Sequence, residues 1–210
     1  MSNLTLALGR PTLIDRIFSR TLLLDAVLVA AGAALTALAA QLVVPLWPVP
    51  VTGQTLAVVL VGLSLGAVRG GLSMALYAVL GIVGLPVFSE SSSGWGVIAG
   101  PTGGYIIGFI FAAILTGWLA QRSWDRKWLR AFLATLAGTV TTFVVGLPWL
   151  AAYLGAVGAP NDLQSVLIAG FYPFVIGGIV KSLIGAGIIS LAWLAVNRSD
   201  SRGDDASTEE

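Results

Sequence analysis

The chain has 210 residues, of which 57% are hydrophobic and only 10% charged, and its mean hydropathy is +0.92. A soluble domain carries about 25% charged residues, so this composition excludes an ordinary water-soluble fold and points to an integral membrane protein. With no Cys and no His, disulfides, thiolate nucleophiles, His-based proton relays and nearly all zinc chemistry are excluded together. No metal site and no cofactor is therefore expected.

The apolar runs are continuous rather than alternating, which argues for helices and against a β-barrel. A bilayer core of about 30 Å needs roughly 20 helical residues. On that ruler the first span runs from Leu22 to Val44, interrupted by Asp25 near one edge and Gln41 near the other. A short second span covers Gln54 to Val68, a third Gly71 to Leu85 and a fourth Gly103 to Gln121. The fifth, Leu129 to Val157, is long and expected to kink at Pro148. The sixth, Phe174 to Val196, follows an apolar shoulder from Leu163 to Tyr172. The fold class expected is all-α, a polytopic membrane protein of six transmembrane helices. The first run is too long for a signal-peptide core and lacks a convincing cleavage context, so it reads as a retained helix.

Charge distribution orients these spans. Arg10, Arg16 and Arg20 precede the first, and Arg69 lies between the second and third. Arg122, Arg126, Lys127 and Arg130 separate the fourth and fifth, and Arg198 and Arg202 follow the sixth. The alternate connections, 45–53, 86–102 and 158–172, carry no Lys or Arg. Ten of the eleven basic residues thus fall on one side, which the positive-inside rule makes cytoplasmic, with both termini there. One membrane domain, 1–198, followed by a disordered acidic cytoplasmic tail, 199–210, is the expected organisation. The connections placed outside are richest in Pro, Gly, Ser, Thr and aromatic residues, as suits capture from that side.

Of these connections, Trp47 to Thr55, WPVPVTGQT, has the most distinctive chemistry. Pro48 and Pro50 stiffen it, and Thr52-Gly53-Gln54 places a hydroxyl, bare backbone and an amide at the mouth of an apolar segment. This is a rigid polar lip suited to hydrogen-bonding an uncharged group. Lys181 is the only basic residue inside an apolar span. Such a charge costs roughly 2.5–3.5 kcal/mol on insertion scales and usually faces a cavity or partner. Snorkelling to the interface is the plain alternative, but no acidic residue is well placed to neutralise it, so an anionic ligand such as a carboxylate fits. Gly100-Pro101-Thr102-Gly103-Gly104-Tyr105 enters the fourth span, with Thr102 suited to cap it; close helix packing explains its glycines as well as a ligand does. GGIVKS lacks the full phosphate-loop pattern, so the chain has no ATPase of its own.

Small residues recur at spacing four in the first span, Ala26, Ala30 and Ala34 on one stripe and Gly32, Thr36 and Ala40 on another. They suit bundle packing or a partner interface. Trp47, Trp95, Trp118, Trp124 and Trp128 read as interfacial anchors. Tyr77, Phe88, Trp95 and Tyr153 are candidates to wall an apolar pocket, although each is explained as readily by packing. A serine mechanism would need Ser182 or Ser190 paired with Lys181, and adjacent helical residues point about 100° apart.

The stretch PVPVTGQTLAVVLVGLSLGAVRGGLSMALYAVLGIVGLPVF, followed by GPTGGYIIGF and FYPFVIGGIVK, closely resembles the BioY family, the biotin-capturing S components of energy-coupling-factor (ECF) vitamin transporters. The resemblance covers about residues 45 to 190. It implies a six-helix protein of a bacterial or archaeal cell membrane that binds biotin from outside. It further implies partnership with a transmembrane coupling subunit and two cytosolic ATPase subunits, no enzymatic activity and no nucleic-acid partner. Carried over by position, the family's Gln falls on Gln54, its aromatic after GLP on Phe88 and its helix-six Lys on Lys181. The family usually has an acidic residue where this chain has Gly178, and its Gly-rich loop after GLPVF is here SESSSGW. The expected substrate-binding set is Thr52, Gln54, Tyr77, Phe88, Trp95, Tyr105, Tyr153 and Lys181. Thr52 and Gln54 would meet uncharged polar groups, the aromatics the thioether body and Lys181 the carboxylate. A different small vitamin-like carboxylate is the alternative cargo.

Overall fold

The structure, a computed structural model, describes residues 11–18 and 21–207; Arg10 and Arg20 of the charge count lie outside them. The chain is a helical bundle. The short α1 (Leu13–Ile17) precedes α2 (Leu22–Ala40), and a two-stranded antiparallel ribbon pairs β1 (Val43–Val44) with β2 (Val51–Thr52). Then come α3 (Gln54–Leu65), α4 (Ala67–Ile82), the short α5 (Trp95–Ala99), α6 (Gly103–Ala120), α7 (Trp128–Ala156), α8 (Leu163–Gly170) and α9 (Tyr172–Ser207). Among the described residues four helices are long and apolar enough to cross a membrane: α2, α6, α7 and the Tyr172–Arg198 portion of α9. The apolar α3 and α4, of 12 and 16 residues, are shorter.

Differences from the expected boundaries have local causes. The first span stops at Ala40, and Val43–Val44, expected inside it, turn into the ribbon. There they pair with the lip because β-branched residues suit a pleated edge. The second and third spans meet at Gly66 rather than being separated by 69–70. Its φ of +86° is a conformation that L side chains rarely adopt, so the chain reverses there without a loop. Arg69 therefore sits in the first turn of α4 instead of in a connector. The apolar shoulder is a separate helix, α8, capped by Asp162 accepting from the Gln164 and Ser165 amides. Pro148 lies within the continuous α7.

Helix α6 is the axis of the bundle. Its apolar window is 67% buried, against 22% for α2, and it packs against α3, α4 and α7. Small residues permit that. A Cβ at Gly62 of α3 would stand 2.1 Å from Thr116 Oγ1 and 2.6 Å from the Ala113 carbonyl, so only glycine lets α3 lie against α6. The large apolar side chains left exposed, among them Leu23, Leu38, Ile176 and Leu191, form the periphery, where lipid would take the place of water.

The end of the bundle carrying Arg69 is closed by polar pairing. Arg69 is 1% exposed and donates to the Leu65 carbonyl, Asp25 Oδ1, Asp15 Oδ1 and Thr12 Oγ1 at 2.8–3.2 Å. Helix α1 exists largely to deliver Asp15 to this network, and its start is fixed by Asp15 Oδ2 accepting from the Thr12 amide and hydroxyl. A buried guanidinium left without such partners would be strongly destabilising. Burial works to raise the Asp15 pKa, but the Thr12 amide and Arg69 outweigh it and hold the carboxyl below its usual range. At the same end, in the 121–127 turn, Asp125 accepts a 2.6 Å hydrogen bond from Trp193 Nε1 while Arg126 stacks over the Trp193 ring.

Candidate functional site

At the opposite end the ribbon folds over the mouth of a cavity bounded by the ribbon, α3, α6, α7 and α9. The lip enters it through Thr52, Gln54 and Thr55, and the loop after α4 through Phe88 and Ser89. The floor and walls come from Tyr105, Ile106 and Phe109 of α6, Phe143 of α7 and Phe174 and Lys181 of α9. The aromatic part is a connected set: Phe143 makes edge contacts with Tyr105, Phe171 and Phe174 at centroid distances of 6.1, 5.2 and 6.0 Å.

The polar part is joined by hydrogen bonds. The Thr52 hydroxyl donates to Gln54 Oε1 at 2.7 Å and accepts from the Gln54 amide at 3.3 Å. Gln54 Nε2 donates to the Tyr77 hydroxyl at 2.6 Å. Lys181, about nine residues or 14 Å into α9, donates to the Thr52 carbonyl and, at 3.2 Å, to Thr55 Oγ1. Among the described residues no carboxylate lies within ion-pairing distance of it. The ammonium thus points across the cavity to the lip rather than along the helix to the surface. This arrangement can hold an anionic group beside an apolar, aromatic-lined body, with neutral hydrogen-bonding groups near the mouth.

Of the eight residues expected from sequence, Thr52, Gln54, Phe88, Tyr105 and Lys181 line this cavity. Tyr77 does not; it is fully buried behind Gln54, with its ring in edge contact with Phe88 at 5.4 Å. Trp95 lies on α5 and is 66% exposed, and Tyr153 packs in the cluster of Leu150, Leu154 and Val166. The Phe88 loop is held by Gln41, whose Nε2 donates to the Phe88 carbonyl while its Oε1 accepts from the Ser91 amide and hydroxyl. That explains the polar interruption near the end of the first span. Thr102, expected as a cap, holds the N-cap position of α6, but its hydroxyl donates to the Val97 carbonyl instead of capping. It lines the cavity, as do Thr55, Thr139 and Thr142, which were not singled out as ligand contacts from sequence. Only the helical phase of the two α7 threonines relative to Phe143 carried a signal, and Thr is common on helix faces for other reasons. Ser182 turns away from Lys181 and approaches Thr139, with its backbone carbonyl accepting from Thr135.

A bundle of apolar helices closed at one end by ion pairs, and hollowed at the other into a cavity with one half-buried ammonium, defines a membrane-embedded small-molecule binder. Residues 12–198 match the BioY family, and the chain belongs to it. Similar proteins include the probable biotin transporter BioY of Pyrococcus horikoshii, 39% identical over 74% of this chain and 87% of the relative. The biotin transporter BioY of Thermotoga maritima is 37% identical over 79% and 94%. A crystal structure of the S component for biotin from an ECF-type ABC transporter superposes with a TM-score of 0.67 at 25% identity. It covers 80% of this chain and 89% of that one. The protein is a transport subunit of the membrane and not an enzyme.

Proposed function

We propose that this chain is the biotin-binding subunit of a biotin uptake system, capturing the vitamin from the outer face of a bacterial or archaeal cell membrane. The observation that carries the reading is the cavity beneath the lip with Lys181 as its one charged lining residue. Biotin has a neutral ureido head, an apolar thioether body and a carboxylate tail. Lys181 takes the carboxylate, Thr52 and Gln54 lie within reach of uncharged polar groups, and Phe88 and Tyr105 cover the body. Tyr77 supports Gln54 from behind; Trp95 and Tyr153 belong to the surroundings of the site.

In this reading α2, α3, α4, α6, α7 and the apolar part of α9 are six spans, with both termini cytoplasmic and the lip outside. Helices α3 and α4 cross with help from their flanking segments, and 199–210 is an acidic tail outside the membrane. Uptake is driven by a transmembrane coupling subunit and two cytosolic ATPase subunits. The exposed stripe of Ala26, Ala30 and Ala34 offers the coupling subunit a close-packing face, whereas Gly32, Thr36 and Ala40 are buried inside the bundle.

A second cargo, another small vitamin-like carboxylate, is favoured by one feature: the α9 wall of the cavity carries no side chain at Gly178, between Phe174 and Lys181. Calorimetric titration of biotin into the purified chain in nanodiscs, run beside a panel of carboxylate vitamins, decides. Saturable biotin binding above all others is expected, and its absence removes the reading.

A further inference from the structure

Thr139 and Thr142 lie on one face of α7, three residues apart and therefore about one helical turn from each other. Both are buried and both line the cavity. Their hydroxyl protons are committed: Thr139 donates to the Thr135 carbonyl at 3.0 Å and Thr142 to the Gly138 carbonyl at 3.3 Å. A hydroxyl has one proton and two lone pairs, so with its proton on the helix carbonyl each threonine keeps acceptor capacity toward the cavity. Ser182 Oγ lies 3.5 Å from Thr139 Oγ1, at the limit of hydrogen-bonding distance and with either atom able to donate.

On the α9 wall nearest Thr139 the cavity is lined by Gly178. A Cβ there would stand 3.4 Å from Thr139 Cγ2, in ordinary van der Waals contact, so the glycine leaves room beside Thr139. Two other polar groups of the cavity offer the guest no free acceptor. Lys181 is a donor only, and the Gln54 amide is engaged by Thr52 on one side and Tyr77 on the other. The cavity is therefore polarised, with a donor at Lys181 and acceptors along α7.

We infer that Thr139 and Thr142 form an acceptor wall that selects cargo carrying neutral N–H donors, and that under the biotin reading this wall receives the ureido N–H groups. The two ends of the cargo are then told apart by complementary chemistry: a carboxylate cannot bind the acceptor wall, and a ureido N–H gains nothing from an ammonium. The inference rests on the biotin reading.

The test is biotin titration of Thr139→Val, Thr142→Val, Thr139→Ser and Thr142→Ser beside the native chain, each first checked for monodisperse elution in detergent. Valine keeps the shape and removes the acceptor; serine keeps the acceptor and removes a methyl. An acceptor role predicts about tenfold weaker binding for each valine variant and near-native binding for each serine variant. A packing role predicts the reverse order. Valine variants that bind like the native chain, or serine variants that bind worse than valine, overturn the wall while leaving the biotin reading standing. A native chain that does not bind biotin overturns that reading and the inference with it.

Discussion

The Gln54 side chain donates to the Tyr77 hydroxyl at 2.6 Å, joining the first turn of α3 to the middle of α4 directly behind the cavity. Because Tyr77 is fully buried, its hydroxyl is placed to fix which way the Gln54 amide points. Tyr77→Phe keeps the ring against Phe88 and removes only that anchor, leaving a buried amide N–H without its partner. The expected outcome is a loss of about 1–3 kcal/mol in stability, read as a lower melting temperature in detergent. Weaker biotin binding should accompany it, with Thr52 and Lys181 untouched.

Lys181 is expected to act through charge. Lys181→Ala should weaken biotin by about 30-fold or more while weakening the uncharged biotin amide far less. Parallel titrations of the two ligands check it; equal losses would remove the carboxylate role assigned to this residue.

The packing of Gly81 against Phe88 gives a steric prediction. A Cβ at Gly81 would fall 2.0 Å from Phe88 Cζ and 2.4 Å from both Cε atoms, so Gly81→Ala must push the ring toward the cavity. Overpacking of this kind costs about 1–3 kcal/mol and should also weaken the ligand. Adding Phe88→Leu to Gly81→Ala should recover part of the melting temperature, a reversal that a general helix effect of alanine would not produce.

Asp125 makes stability depend on pH. Burial pushes its carboxyl up to about 6 against the opposing hydrogen bond from Trp193, and its Oδ1 has no partner. Folding therefore favours the protonated form. This contribution is fully present below pH 3.8, the ordinary carboxylate value, and is lost as pH rises through about 6, at most about 3 kcal/mol in all. Asp15, held low by the Thr12 amide and Arg69, loses its contribution only at still lower pH and does not offset the effect in this window. Melting temperatures from pH 4 to 7.5 should fall for the native chain and run flatter for Asp125→Asn.

If the proposed coupling subunit docks on the outward stripe of α2, changes there should separate binding from coupling. Ala30→Leu or Ala34→Leu should leave biotin affinity unchanged, since neither residue lines the cavity. The same changes should reduce co-purification with the coupling subunit. A loss of biotin binding in these variants would place the stripe in the wrong role.

Much of the fold was legible because hydropathy and charge are written along the chain. The long apolar runs became α2, α6, α7 and α9, and the GPTGGY motif does open α6. What was not legible depended on pairing across distance. Arg69 reads as a connector charge until Asp15 and Asp25, 54 and 44 residues away, are seen to hold it inside. Val43–Val44 read as helix because only the returning Val51–Thr52 makes them a strand. In the cavity, residues with unusual chemistry for their setting, Lys181 and Gln54, stood out in sequence. Thr139 and Thr142 did not, because a threonine in a helix declares nothing until its proton and its lone pairs are located separately.

Thr52 is bound three ways: its backbone is in the ribbon, its hydroxyl on Gln54 and its carbonyl on the Lys181 ammonium. Under the proposed reading, a guest carboxylate therefore exchanges with a bond the protein makes to itself. A neutral acceptor can take the same place only through a weaker hydrogen bond without opposite charge, so the lip contact sets a threshold that favours a charged guest.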